Sequence, residues 1–235
     1  YPTASFKKAI TADPNTLTHL FDYFDSFVEE VHQTSNLIRK LSPKTQTMLD
    51  ECGTTRLPQL VNPADPASGP LYWVSSGTGF VYLYLRTAAL SAQGVNVPVV
   101  GMSQLMDDVK REPGVSMIDW TNGNGTARYW ALKLLRDACA PGDAFVSTAV
   151  SGDAGVYAQG VIRTQSTASN TAQSRRLVLV NKRYIAVTVK INSVSKSCMA
   201  HIVDTDSGEC PARTEACGDS GSVSIGPFGS AVIYV

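Results

Sequence analysis

Two adjacent carboxylates, Asp50 and Glu51, stand where the run Thr45-Gln46-Thr47-Met48-Leu49 gives way to Cys52-Gly53. The run reads as a strand, so the acids sit at its C-terminal end, where α/β barrels keep their catalytic groups. Neighbouring side chains of a strand point to opposite faces. Thr45, Thr47, Leu49 and Glu51 therefore share one side, and Gln46, Met48, Asp50 and Cys52 share the other. One acid of the pair is expected to face a barrel mouth and its neighbour the helix layer. A carboxylate in such a mouth is one half of what cleaves a glycosidic bond. The alternative is a pair of strand-end acids, solvated or capping nearby amides.

Other residue types fit the same chemistry. Tyr1, Tyr72, Trp73 and Trp120 fall in segments that read as loops near strand ends. Sugar rings have apolar faces that stack on aromatic planes, so Tyr1, Trp73 and Trp120 are candidate substrate contacts; packing at a domain interface is the competing reading. Gln104 closes a second apolar run, where its amide is placed either to bind a sugar hydroxyl or to satisfy loop backbone. Trp130 lies in a helical period and reads as core. His201 and Asp204-Thr205-Asp206 read as structural. There is no GxSxG elbow for a serine nucleophile, and Gly123 and Gly125 lack the Walker lysine.

The five cysteines include no CxxC pair, and His19, His32 and His201 are scattered, so neither a zinc site nor any other cofactor is expected. Cys210 and Cys217 flank a short Pro/Arg/Glu-containing loop and are expected to staple it as a disulfide. Asn124-Gly125-Thr126 is an N-glycosylation acceptor on a loop. Together these point to a secreted or lumenal protein. Twenty basic and twenty acidic side chains cancel, and no basic run marks a nucleic-acid partner. The apolar runs fall short of the roughly 20 residues that span a bilayer. The chain begins at Tyr1-Pro2 without a methionine, which suggests a processed or partial polypeptide.

The elements that position these groups change character near residue 142. Leu17, Leu20, Phe21, Phe24, Val28, Val31, Ile38 and Leu41 recur at helical spacing, predicting a helix over 14–41 that Ser42-Pro43 ends. A strand over 45–51 follows. Residues 54–70 carry four prolines and read as a long loop. A helix is predicted over 76–92, stopped by Gly94, then an apolar strand within 95–105, an irregular stretch, and a helix over 126–138 closed by Pro141-Gly142. Near-continuously apolar strands alternating with helices signal a parallel sheet covered on both faces. Beyond residue 142 come short β-rich runs over 145–150, 156–163, 176–180, 185–191, 199–204, 222–225 and 231–235, separated by Ser/Gly/Asn turns. That pattern is sandwich-like.

Several stretches, taken in order, resemble clan A retaining glycoside hydrolases, with the closest look to heparanase-like and β-xylosidase/α-iduronidase-like families. They are Leu41-Ser42-Pro43-Lys44-Thr45 with Leu49-Asp50-Glu51-Cys52-Gly53, Phe80 to Arg86, Val100-Gly101-Met102-Ser103-Gln104-Leu105, Ser116 to Trp120, Ala127 to Leu135, Val156 to Gly160, Leu177 to Arg183 and Ile225 to Val232. The resemblance implies an α/β plus all-β protein: the C-terminal portion of a (β/α)8 TIM barrel over 1–142, and an antiparallel β-sandwich over 143–235. It implies that Glu51, ending the seventh barrel strand, is the nucleophile of a double displacement on a glycoside or oligosaccharide substrate. It places the acid/base carboxylate on an N-terminal barrel segment outside these residues. Cys52, where an aliphatic residue is expected, leaves substrate specificity open. A glycosidase-like binding or structural glycoprotein without activity is the rival reading.

Overall fold

The computed structural model describes residues 19–52, 68–102, 105–107, 116–152, 155–167, 170–192, 198–218 and 221–235. Helix α1 (His19–Leu41) buries Leu20, Phe21, Phe24, Val28 and Val31, the stripe its spacing predicts. It ends where Ser42 donates its backbone N–H to Ile38 O, and Pro43 cannot continue the ladder. Ser35 Oγ donates to Thr47 Oγ1 at 2.8 Å, tying α1 to the approach of strand β1 (Leu49–Cys52). Residues 1–18 and 53–67 lie outside the description.

Helix α2 (Ser68–Ala89) begins eight residues before the expected start at 76. Pro70 falls in its first turn, where the missing N–H has no intrahelical partner to lose. Tyr72 and Trp73 therefore belong to a helix, not to a loop as their surroundings suggested. Val74, Phe80, Val81, Leu83 and Leu85 are all buried, because α2 lies between α1 on one side and helix α3 (Ala127–Ala138) on the other. A 3-10 turn over Leu90–Gln93 follows, capped by Gly94 in the left-handed conformation at φ 76°.

Strand β2 (Val100–Met102) pairs parallel with β1. It starts at Val100, later than the apolar run that begins at residue 95, since Pro98 has no N–H to contribute. Two short strands, β3 (Met106–Asp107) and β4 (Ile118–Asp119), pair parallel to each other before α3.

The rest is antiparallel. Strands β5 (Ala144–Val146), β6 (Val156–Thr167), β7 (Asn170–Asn181), β9 (Met199–Val203), β10 (Arg213–Ala216) and β12 (Ser230–Tyr234) form one sheet in the order β10-β9-β12-β7-β6-β5. Strands β8 (Val187–Lys190) and β11 (Ser222–Ile225) form a separate two-stranded ribbon. One sheet face, with Val161, Val178, Val180, Val203 and Val232, joins the helices in a single core. The opposite face, with Leu179, Ala200, Ile202, Ala231 and Ile233, packs against Val187, Val189, Val223 and Ile225 of the ribbon. The second layer is thus a ribbon, among the described residues, rather than a full opposing sheet. Phe228 sits at φ 48° in the turn between β11 and β12. Its wholly buried ring stacks on Phe21 of α1 at 6.2 Å, which holds the strained backbone in place.

The expected Cys210–Cys217 disulfide is replaced by Cys198–Cys217. Met199 lies opposite Ala216 in the β9–β10 ladder, so Cys198 and Cys217 face each other one step beyond it, with Cα atoms 5.5 Å apart. Cys210 is exposed and forms no disulfide.

Candidate active site

The site is built on the β1–β2 pair. Leu49 lies opposite Val100 and Cys52 opposite Met102, so β1 takes one more residue than β2 over the same span. Such an irregularity bends a strand and re-aims its side chains. Here Leu49 and Cys52 both turn inward to the core, while Asp50 and Glu51 are both exposed. The strict alternation expected of a regular strand, one acid outward and one toward the helices, does not hold. The bulge sits where Gly101 approaches: a Cβ there would lie 2.0 Å from Asp50 O. Only glycine lets the two backbones come this close.

Beneath the acids lie buried and half-buried side chains, Cys52 and Tyr84. Burial pushes the Cys52 thiol up, and the charge of Glu51 adds to that. Burial also raises Tyr84, whose hydroxyl donates to Val100 O at 2.8 Å. Arg128, from α3, is fully buried. Its guanidinium lies 4.3 Å from the centroid of the Phe80 ring and its Nε donates to Met102 Sδ. The helix layer thereby places a positive charge against the C-terminal end of β2. Sequence reasoning passed over Arg128; the signal was a cation on the stripe Ala127, Ala131, Leu134, Ala138 that α3 buries. Among the described residues no hydrogen bond or ion pair engages the Glu51 side chain.

Trp120 follows β4 and is 62% exposed. Its indole is presented to solvent, as a stacking platform requires, and no described contact joins it to Glu51. Asn124 is exposed in the same loop. Tyr1 and Gln104 lie outside the described residues, and Trp73 is described only as helical backbone. Asp204 is structural as expected: its buried carboxylate pairs with Arg213 at 2.7 Å and accepts from Gly226 N at 2.9 Å. Among the described residues no three His, Cys, Asp or Glu side chains cluster as metal ligands. No described helix is long and apolar enough to cross a membrane.

No protein-family model matches the sequence, and no curated protein matches it. Solved structures do. A conserved exported protein of Bacteroides fragilis superposes on 98% of this chain and 47% of its own, with a TM-score of 0.59 at 11% identity. A GH30 endoxylanase of Clostridium papyrosolvens C71 superposes on 85% of this chain and 44% of its own, with a TM-score of 0.50 at 13% identity. BuGH86, solved in complex with neoagarooctaose, superposes on 89% of this chain and 33% of its own, with a TM-score of 0.52 at 10% identity. The chain is a partial α/β fold that it shares with part of the GH30 endoxylanase and BuGH86 structures. At these identities the likeness is one of fold. The 235 residues span less than half the length of each of these three chains.

Proposed function

We propose that the chain is the C-terminal part of a secreted retaining glycoside hydrolase, with its domain boundary near residue 142 and Glu51 as nucleophile. The observation that carries this reading is the position of Glu51: exposed at the C-terminal end of a parallel strand, in a fold shared with a GH30 endoxylanase. In the reaction an oxygen of the Glu51 carboxylate attacks the anomeric carbon. The bond to the leaving oxygen breaks as the partner carboxyl protonates it, and a glycosyl ester forms. The partner, now a carboxylate, then draws a proton from water, which cleaves the ester. Retention requires the two carboxyls about 5–5.5 Å apart. The partner is assigned to a barrel segment outside the 235 residues. Exposed apolar side chains support such a neighbour: Leu37 and Leu41 at the end of α1, and Met48 and Val99 at the entries to β1 and β2. The Cys198–Cys217 disulfide supports a secretory location.

The exposed Trp120 also fits a second reading, a carbohydrate-binding protein without turnover. One experiment separates the two. The full-length protein is incubated with activated 2-deoxy-2-fluoro glycosides of xylose, arabinose, glucuronic acid and galactose, and digested for mass spectrometry. The hydrolase reading expects a covalent sugar on the peptide carrying Glu51, lost in Glu51→Gln while sugar binding is kept. Label on another carboxylate, or unchanged turnover in Glu51→Gln, overturns it. Binding without label or turnover in the native protein supports the second reading.

A further inference from the structure

Asp119 and Asn124 face each other across a tight hairpin. Asp119 N donates to Asn124 O at 2.9 Å, and Ile118 bridges antiparallel to Gly125. Residues opposed in this way project their side chains to the same side. Both accordingly line one cavity of about 370 Å³, within the size of small-ligand sites, roughly 300–1,000 Å³. Its far wall is the loop between β9 and β10, with Glu209, Cys210 and Pro211. Trp130 ties the two walls together: its Nε1 donates to Gly125 O at 3.2 Å and to Glu209 O at 3.0 Å.

The two acids of this cavity are not equivalent. Asp119 is 8% exposed and its carboxylate accepts from Thr121 N, Thr121 Oγ1 and Asn122 Nδ2 at 2.7–2.9 Å. Glu209 Oε1 is buried and has no hydrogen-bond partner among the described residues. Burial, and the charge of Asp119, push the Glu209 carboxyl up. A buried oxygen without a partner costs about 1–3 kcal/mol, so this wall of the cavity favours an occupant that donates a hydrogen bond to Glu209.

We propose that this occupant is covalently attached: the first N-acetylglucosamine of a glycan on Asn124, seated between the hairpin and the β9–β10 loop. Asn124-Gly125-Thr126 is the acceptor tripeptide, and Asn124 lines the cavity. A pyranose with hydroxyls and an acetamido N–H meets the unpartnered Glu209 oxygen, and its apolar face meets Pro211 and Trp130. In the modification Asn124 Nδ2 bonds to the sugar's anomeric carbon and loses one proton. The bond from that carbon to the pyrophosphate of a lipid-linked oligosaccharide breaks. The timing is also set by the fold. The Thr126 hydroxyl is buried and donates to Ser116 O at 2.8 Å, so an enzyme that must reach it acts before the hairpin closes. The glycan then becomes a strut between two loops that Trp130 alone bridges with described side-chain hydrogen bonds. The inference needs a secretory compartment but none of the chemistry assigned to Glu51, and it fails or stands separately.

The test uses full-length protein from a secretory eukaryotic host. Peptide mapping is expected to find a hexosamine on Asn124. Release by a peptide N-glycosidase is expected to be at least about ten-fold slower on folded than on unfolded protein, because cleavage then waits on local opening. Glu209→Ala should bring the folded rate toward the unfolded one. As an independent reading, Asn124→Gln should speed alkylation of Cys210, which lines the same cavity. An unmodified Asn124, equal release rates in the two states, or Cys210 alkylation unchanged by Asn124→Gln each overturns the proposal.

Discussion

Gly101→Ala is the sharpest probe of how the candidate nucleophile is held. The added Cβ would stand 2.0 Å from Asp50 O and 3.0 Å from Asp50 C. Both obstacles are backbone, so no rotamer relieves them. Bringing the closer contact to the 3.0 Å that real Cβ atoms respect opens the β1–β2 pair by roughly 1 Å. Overpacking of this kind costs about 1–3 kcal/mol, which lowers Tm by about 2–4 °C per kcal/mol in a chain of this size. Asp50 is the neighbour of Glu51, so the shift reaches the carboxylate directly, and a 1 Å misplacement of a reacting group costs about 100-fold in rate. The assay is kcat on the full-length protein beside a thermal melt. Amide exchange at Leu49, whose N–H donates to Val99 O at 3.0 Å, gives a reading independent of activity. The control is Gly142→Ala, at φ 89° with nothing within 4 Å of the added carbon. It carries only the strain of a left-handed backbone, about 1 kcal/mol, and should leave kcat and the Leu49 amide alone. A Gly101→Ala protein with native melting, native kcat and a protected Leu49 amide would refute the close approach, and with it the bulge that turns Glu51 outward.

Loss of the disulfide in Cys198→Ser should lower stability by about 3 kcal/mol, as expected for the roughly twenty-residue loop it closes; Cys210→Ser should leave the urea midpoint and its response to reductant unchanged. Burial would raise the Asp204 carboxyl, but hydrogen bonds from Arg213, Gly226 and Ser207 outweigh it and hold it below the ordinary carboxylate range. A depressed folded-state value stabilises above the unfolded pKa, about 3.9, and that contribution drains as pH falls through and below it. The urea midpoint should therefore drop between pH 6 and pH 3, and less steeply in Asp204→Asn; equal slopes would exclude Asp204 as a source of acid lability. Tyr82→Phe removes a hydroxyl that donates to both oxygens of Asp25 at 2.7 and 2.8 Å. It should cost about 1–2 kcal/mol in urea unfolding, and a neutral result would show that the hydroxyl adds nothing to the Arg86–Asp25 pair between α1 and α2.

What the sequence discloses and what it hides divide along one physical line. Helix α1 is legible because it buries one stripe at a period that no strand shares; α3 is legible from the apolar run that Pro141-Gly142 closes, although its buried stripe is mostly alanine and Tyr129, Trp130, Leu132 and Leu135 are only half-buried. The start of α2 is not, because proline-rich sequence reads as loop although Pro70 is harmless in a first turn. Strand β10, Arg-Thr-Glu-Ala, escapes notice for the opposite reason: it is a sheet edge with no buried apolar side chain, and edges are built from polar residues. Missing β10 also misleads the cysteine pairing. Proximity along the chain favours Cys210 for Cys217, whereas the β9–β10 register brings Cys198 across from it. The acids at the end of β1 show the same division within one site. That they terminate a strand is readable from local pattern. Which way they point depends on how many residues β1 sets against β2, and that number is decided in the partner strand, by a glycine fifty residues downstream. Register, not alternation, sets the exposure of both Asp50 and Glu51. It follows from the backbone contact at Gly101, and substituting that glycine should disturb both acids together.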